Sequence, residues 1–470
     1  MTRSLRILTP KLQQLGDQGQ IQGATAMFWW GIFAILLQVV LPYVVLEAMG
    51  IDSAKLKEHP ATYLVLVCGA YSLLRGFVPF QRRCREAPGL LLFVFAVPVL
   101  NIYSAWLTGI SGAALYAESY WSAGMLALVL APASPRQRRI LAIILITACV
   151  FNVLIGLYES LTATNWFPIL IDPDNVMVSD TSTDFRANAL YNHPLQASLI
   201  TSMGIFLLFA MKPRVIVSGP IFALLVVGLL AFGGRTALGV TLIVTSLTTV
   251  YLLFSGILQR NLKLEFVVGI VVAAIVLPIL IGIVVTQTSI ADRIMDTLYY
   301  DGSAQTRATQ LEIFQHLSLR NWLFGISHDD LNLLKYQIGL GGKETDIENF
   351  WILMLLNLGS IGFAVFLFVF GTFLFYLGRY TNSMYGWLLI ISALVIDSGS
   401  NSLGSKSSDL FFEVAFLVAI SGYTGYVRSP RKVLRLSAMP SLGFARAQSV
   451  LAKVAPSKLR GLRISGSRSI

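Results

Sequence analysis

The chain has 470 residues, of which 55% are hydrophobic and 13% charged, with a formal net charge of +11 and a mean hydropathy of +0.71. A soluble domain carries about 25% charged residues, so these values exclude a water-soluble globular protein. The 3 cysteines, Cys68, Cys84 and Cys149, show neither metal-ligand spacing nor a disulfide framework.

Long uncharged apolar runs recur from end to end. They lie near 24–46, 61–80, 88–107, 112–132, 139–158, 193–211, 215–232, 236–256, 264–287, 349–377, 384–400 and 409–426. Each approaches the roughly 20 residues a helix needs to cross a bilayer. The pattern predicts an all-α polytopic membrane protein of about 12 transmembrane helices, with a large outer loop between helices 9 and 10. The first run is too long for a signal-peptide core, and no small-residue cleavage pattern follows it, so it reads as a retained helix. The expected organisation is a cytoplasmic segment over 1–23, a membrane domain over 24–426 that includes the outer loop 288–348, and a basic cytoplasmic tail over 427–470.

Charge placement gives the sidedness. With both ends inside, most of the 35 Lys and Arg residues fall in inner segments, including Arg136, Arg138 and Arg139, Lys212 and Arg214, Arg379, and the tail from Arg428 to Arg468. That is the positive-inside pattern. The tail has no acidic residue after Glu413. It reads as a topology signal that also attracts anionic lipid heads, and no nucleic acid is an expected partner. Left outside or at the outer face are Lys55, Lys57, Arg186, Arg235, Arg293, Arg307, Arg320, Lys335, Lys343 and Lys406.

Two of these are tied closely to the membrane face. Arg186 lies in Asp184-Phe-Arg-Ala-Asn-Ala-Leu-Tyr-Asn-His193-Pro194, before the sixth run. Arg235 lies in Phe232-Gly-Gly-Arg-Thr-Ala-Leu-Gly, a tight turn between two runs. Gly233 and Gly234 allow backbone N–H groups to approach a ligand closely, and a guanidinium binds phosphate through paired hydrogen bonds. The alternatives are interfacial snorkelling or an ion pair such as one with Asp184. Arg307 opens a predicted amphipathic helix, with Leu311 and Phe314 following it at i+4 and i+7, so the arginine is expected on the apolar face. It would pair there with a bound anion or with a loop aspartate.

Glu348 is expected to begin the tenth helix. The helix dipole alone accounts for a carboxylate in that position. The functional alternative is a general base at the edge of a lipid-embedded cleft. Asp346 and Glu344 could take that role instead, and His328 is a weaker candidate. His193 either orients the sixth helix or touches substrate. The acidic stretch from Glu159 to Asp184, with Asp172-Pro-Asp174 and Asp180, reads as a solvated loop whose spacing matches no standard metal loop. No phosphate-binding glycine loop, zinc motif or nucleophile elbow is present.

From Arg186 to Gly362 the chain resembles the O-antigen polymerase and O-antigen ligase superfamily of bacterial envelope glycan assembly. The resemblance rests on Arg186-Ala-Asn-Ala-Leu-Tyr-Asn-His-Pro, on Gly-Gly-Arg235-Thr-Ala-Leu-Gly, on the outer loop with Arg307-Ala-Thr-Gln-Leu-Glu-Ile-Phe, and on Asn349 through Gly359-Ser-Ile-Gly362. In ligases of this superfamily the position before the equivalent of Asn349 is typically histidine. Here it is Glu348, which favours a polymerase.

The resemblance implies a GT-C-like membrane glycosyltransferase of the inner membrane, acting at the periplasmic face. Its donor would be an oligosaccharide on a polyprenyl diphosphate. Arg186, Arg235 and Arg307 would bind the diphosphate, with Arg307 and Glu348 catalytic. His193, Asn349, His328 and Asp346 are secondary candidates. No metal or cofactor is implied, because the donor carries its own leaving group. Membrane lipids, and a chain-length regulator or export component, are further expected partners. The rivals are ligase-type transfer to a lipid A core and a flippase for lipid-linked sugars. Against the flippase stand the unequal loops, the lack of similarity between the halves, and ionisable groups that gather at the outer face.

Overall fold

A computed structural model describes residues 25–49, 51, 58–74, 87–108, 115–167, 170–172, 175–176, 185–191, 193–259, 267–268, 278–279, 282, 310–338, 347, 349–399, 403 and 407–423. The chain divides into two units at Thr424 and Gly425, and all described residues belong to the first. The segment 1–23, the tail 427–470 and most of the ninth apolar run lie outside the described residues.

Helices follow the apolar runs. They are α1 (Thr25–Val40), α2 (Tyr43–Ala48), α3 (Pro60–Leu74), α4 (Pro88–Thr108), a π-helical turn (Tyr116–Trp121) leading into α5 (Ser122–Leu130), and α6 (Pro135–Thr162). Next come α7 (Pro194–Met211), α8 (Val215–Phe232) and α9 (Arg235–Leu258). A 3₁₀ turn (Leu311–His316), α10 (Leu319–Phe324) and α11 (His328–Gln337) precede α12 (Phe350–Thr381), α13 (Met384–Ser398) and α14 (Asp409–Ile420). A two-stranded antiparallel ribbon, β1 (Leu170–Asp172) with β2 (Asn175–Val176), holds the only strands among the described residues.

Among the described residues, 6 helices are long and apolar enough to cross a membrane, namely α4, α6, α7, α8, α9 and α12. Their packing has the polarity that lipid demands. On α9 the inward positions are Ala237, Thr241, Thr245 and Thr248, while Ile243, Leu247, Val250, Tyr251, Phe254 and Leu258 are exposed. Small and hydroxyl side chains face the protein and large apolar ones face outward, the reverse of a soluble helix. The hydroxyls are satisfied locally or across helices. Thr245 Oγ1 donates to the Thr241 carbonyl at 2.7 Å, and Ser202 and Thr241 hydroxyls pair between α7 and α9 at 2.6 Å. The fold is that of a helical, multi-pass membrane protein.

At the centre stands α14, every residue of which is buried. Apart from Asp409 and Glu413 it is apolar on every side, which calls for enclosure, and α14 packs against α5, α6, α7, α12 and α13. Around it the antiparallel pairs α4 with α12, α7 with α8, and α9 with α13 complete the bundle. The 28 residues of α6 span about 42 Å at 1.5 Å per residue, more than a bilayer core. Ser134 and Gln137 form a capping box at its start, with Pro135 at the first position, and Ala163 in the left-handed region ends it.

Candidate functional site

One end of the bundle gathers the C-termini of α6, α8 and α13 with the N-termini of α7, α9, α12 and α14. The segment 185–191 runs across this end and is pinned to the helices below it. The Ala187 N–H donates to the Ala231 carbonyl at 3.4 Å, which sets the residue after Arg186 against the last turn of α8. That turn ends in Gly233, whose positive φ of 66° suits glycine. Gly234 then caps α9, and Arg235 is the first residue of α9. A Cβ on Gly234 would run into Ser198 of α7, so the turn lies flat on the bundle. The segment that carries Arg186 is therefore hydrogen-bonded to the end of α8, two residues before the glycine pair that leads to Arg235. Arg186 is half-buried and Arg235 exposed.

The turn is continuous with the start of α12. A Cβ on Gly399, just past α13, would lie 3.3 Å from Thr236 Oγ1, and Trp351 Nε1 donates to Ser398 Oγ at 2.6 Å. The first residue of α12 is Phe350, and Asn349 is its cap. Asn349 Oδ1 accepts from the Trp351 N–H at 3.0 Å and from the Ile352 N–H at 3.1 Å. This refines the expectation that Glu348 opens the helix. Two of the free N–H groups are satisfied by the asparagine side chain, a capping role that the sequence reading, which has Asn349 as a secondary site candidate, did not assign.

His193 caps α7, with Nδ1 accepting from the Leu195 N–H at 3.2 Å. That bond places the ring proton of neutral His193 on Nε2. By surface area the residue is exposed. The protein mass crowding the ring, together with the positive charge of Arg186, lowers its pKa from the ordinary 6.5. Tyr191, two residues earlier, is enclosed, and burial pushes its phenol well above the usual range.

Two sequence expectations are corrected here. Glu159 does not belong to a solvated loop. It is fully buried in the last turn of α6. Its Oε1 accepts from the Trp166 N–H at 2.8 Å, and its Oε2 accepts from the Asn188 and Ala189 N–H groups at 2.9 and 2.8 Å. The chain turns back after Thr162 and 185–191 folds over it, which removes the carboxylate from water and replaces water with backbone donors. Likewise, ionisable groups are not confined to the surface of this end. Glu118, Asp397, Asp409 and Glu413 are all buried. Glu118 accepts from the Tyr43 hydroxyl at 2.7 Å, and Asp409 from Gln196 Nε2 at 2.8 Å.

The segment 310–338 docks on α12 at a break. Gly359, with φ 64° and ψ 173°, interrupts the helix. A Cβ there would collide with the Gly325 nitrogen and the Leu323 carbonyl. The Ile326 N–H donates to the Leu356 carbonyl at 2.9 Å, and Tyr103 donates to the Phe324 carbonyl at 2.5 Å. Gly359 was read from sequence as part of a continuous helix start, but the close approach of α10 opens the helix there. Ile313, Ile326, Leu331, Ile347 and Leu356 form a small separate core under this segment.

Arg307 and the residues up to 309 lie outside the described residues; Gln310 is α-helical, and Leu311–His316 continue as a 3₁₀ turn. The buried positions of this stretch are Gln310 and Ile313, while Leu311 is 55% exposed. The three-residue period of a 3₁₀ helix aligns Gln310 with Ile313, and Phe314 is half-buried against the same small core while Leu311 is exposed. Arg307, Glu348 and Asp346 themselves lie outside the described residues, as do Glu344 and the side chain of His328, the first residue of α11. The structure thus brings Arg186, His193, Arg235 and Asn349 to one end of the bundle.

The opposite end is different in kind. Arg138 donates to Ser421 Oγ and to the Ala131 carbonyl, both at 3.1 Å, and its guanidinium sits 4.9 Å from the centre of the Tyr380 ring. Arg139 donates to the Gly422 carbonyl at 3.2 Å and lies over Tyr423. Lys212 and Arg214 occupy the turn between α7 and α8 at this end.

No protein-family model matches the chain, and no curated protein matches it.

Proposed function

We propose that the chain is a membrane glycosyltransferase of the GT-C type that polymerises oligosaccharide repeats carried on a polyprenyl diphosphate. In this reading it has about twelve spans, lies in a bacterial inner membrane with both termini cytoplasmic, and works at the periplasmic face. The observation that carries the reading is the hydrogen bond from Ala187 to Ala231, which joins the Arg186 segment to the last turn of α8, just before the Gly233-Gly234-Arg235 turn. Two guanidinium-bearing segments at the mouth of a lipid-facing bundle suit a lipid-linked diphosphate. The basic turns at the other end agree with a cytoplasmic side there.

In the proposed step, the terminal hydroxyl of an acceptor repeat attacks the anomeric carbon of the donor sugar. The new glycosidic C–O bond forms as the bond from that carbon to the phosphate oxygen breaks. The bonding electron pair leaves with the polyprenyl diphosphate, and the hydroxyl proton passes to a base, for which Glu348 is the proposed group. Arg186, Arg235 and Arg307 stabilise the charge that develops on the leaving diphosphate, the role of positioned donors in group transfer.

The test is reconstitution of the purified full chain in proteoliposomes with a lipid-linked single repeat. The reading predicts a ladder of products and one free polyprenyl diphosphate per bond formed. Transfer of repeats to a lipid A core acceptor, with no ladder, would contradict it and favour the ligase.

A further inference from the structure

The Glu159 carboxylate does not reach the surface, yet its three acceptor bonds determine where the Arg186 segment lies. The consecutive N–H groups of Asn188 and Ala189 converge on one oxygen, and Ala189 has a positive φ of 52°. Consecutive amides around a left-handed residue form a concave anion-binding nest. An alanine holds that conformation only when its surroundings enforce it. Beside the nest, Asn152 Oδ1 accepts from the Leu190 N–H at 3.2 Å. The other Glu159 oxygen ties down the Trp166 N–H where the chain leaves α6. Both ends of the excursion between α6 and α7 are therefore fastened to one buried side chain.

We propose that Glu159 is the positioning residue of this site, holding the 185–191 segment so that Arg186 stays beside the Gly233-Gly234-Arg235 turn during turnover. The inference rests on the polymerase reading for its catalytic consequence, but not for the clamp. A glutamine keeps the size of the side chain and loses one acceptor oxygen. Whichever way its amide turns, an NH₂ group faces either the Trp166 N–H or the Asn188 and Ala189 pair.

The experiment uses the full chain in proteoliposomes, with wild type, Glu159→Gln, Asn152→Ala and Arg186→Ala side by side. Two quantities are read: hydrogen exchange of the peptide covering 185–191, and kcat and KM for the lipid-linked single repeat. In Glu159→Gln, exchange of this peptide is expected to rise at least about tenfold while peptides of α8 and α14 keep their protection. Turnover is expected to fall about 100-fold, the scale of an ångström-sized misplacement, chiefly in kcat. Asn152→Ala should move both quantities in the same direction by less, and it stands in if Glu159→Gln fails to fold. Unchanged exchange at 185–191 overturns the clamp. Raised exchange with wild-type kcat overturns the positioning role. Arg186→Ala separates this failure from that of the polymerase reading. If Arg186→Ala is inactive while Glu159→Gln is active, only the role of Glu159 falls. If both are fully active, the site reading falls with it.

Discussion

The two ends of the bundle handle arginine in opposite ways. At the basic end, Arg138 and Arg139 are consumed by the protein itself. Carbonyls and a hydroxyl take up some of their donors and the faces of Tyr380 and Tyr423 lie against their charge, while the buried Arg138 Nε has no hydrogen-bond partner among the described residues. At the other end, the deeply held groups are carboxylates, and the arginines lie on the 185–191 segment and at the first turn of α9. Glu159 is sealed by backbone N–H groups, whereas Arg235 is exposed at the first turn of a helix. The lesson is that an arginine near a membrane face is informative only together with what holds its backbone. One end packs arginine against aromatic rings, and the other sets it where helix ends and the 185–191 segment meet over a buried carboxylate.

The comparison breaks most visibly if the site arginines prove dispensable. Arg235→Ala is expected to lower polymerising turnover by about 100- to 1000-fold, the usual cost of losing one donor to a developing negative charge, while membrane levels stay normal. Activity of the purified variant, set against its yield, checks this. Gly359→Ala comes next. An alanine at that positive φ, pressed against Gly325 and Leu323, should cost at least about 1–3 kcal/mol and loosen the outer segment from α12. Thermal unfolding in detergent and proteolysis of 310–338 measure the two effects.

The basic end sharpens the contrast from the other side. Arg138→Ala should reduce stability by about 1–2 kcal/mol through two lost hydrogen bonds and a lost cation–π contact, with kcat unchanged. A stable variant with lost activity would erase the distinction between the ends.

The smallest effect concerns His193. Its folded pKa lies below the ordinary 6.5, so as pH falls through 6.5 the unfolded chain takes up a proton first. Stability from this group is therefore present above about 6.5 and is lost as pH falls toward the folded value. Protonation also turns Nδ1 from the acceptor of the Leu195 N–H into a donor. His193→Asn keeps a capping oxygen and should flatten this part of the pH dependence. Melting temperatures at pH 7.5 and 5.5 would show it, and an unchanged slope would exclude His193 as its source.

Much of the bundle was legible because lipid imposes a simple rule. A segment that crosses must be long, apolar and helical, and the runs at 139–158, 215–232 and 349–377 became α6, α8 and α12. The Gly233-Gly234 turn was legible for the same reason, since two apolar runs separated by so few residues must reverse tightly. Glu159 was not legible. Next to Thr162, Thr164 and Asn165 it has the local character of a loop acid, and only the return of 185–191 from outside α6 gives it two of its three donors. Gly359 was equally hidden, because its break depends on α10 pressing from another segment. Asp409 and Glu413 stood in plain view in an apolar run, but their burial follows from α14 being the central helix, which no local pattern states.

The most direct measurement is the glycan profile of a deletion strain on a gel that resolves repeat number, complemented with wild type or with Arg186→Ala and Arg235→Ala combined. If this end of the bundle is the polymerising centre, wild type restores long polymer and the double variant leaves only single-repeat glycans despite normal membrane levels. Long polymer in the deletion strain, or in the double variant, would contradict it.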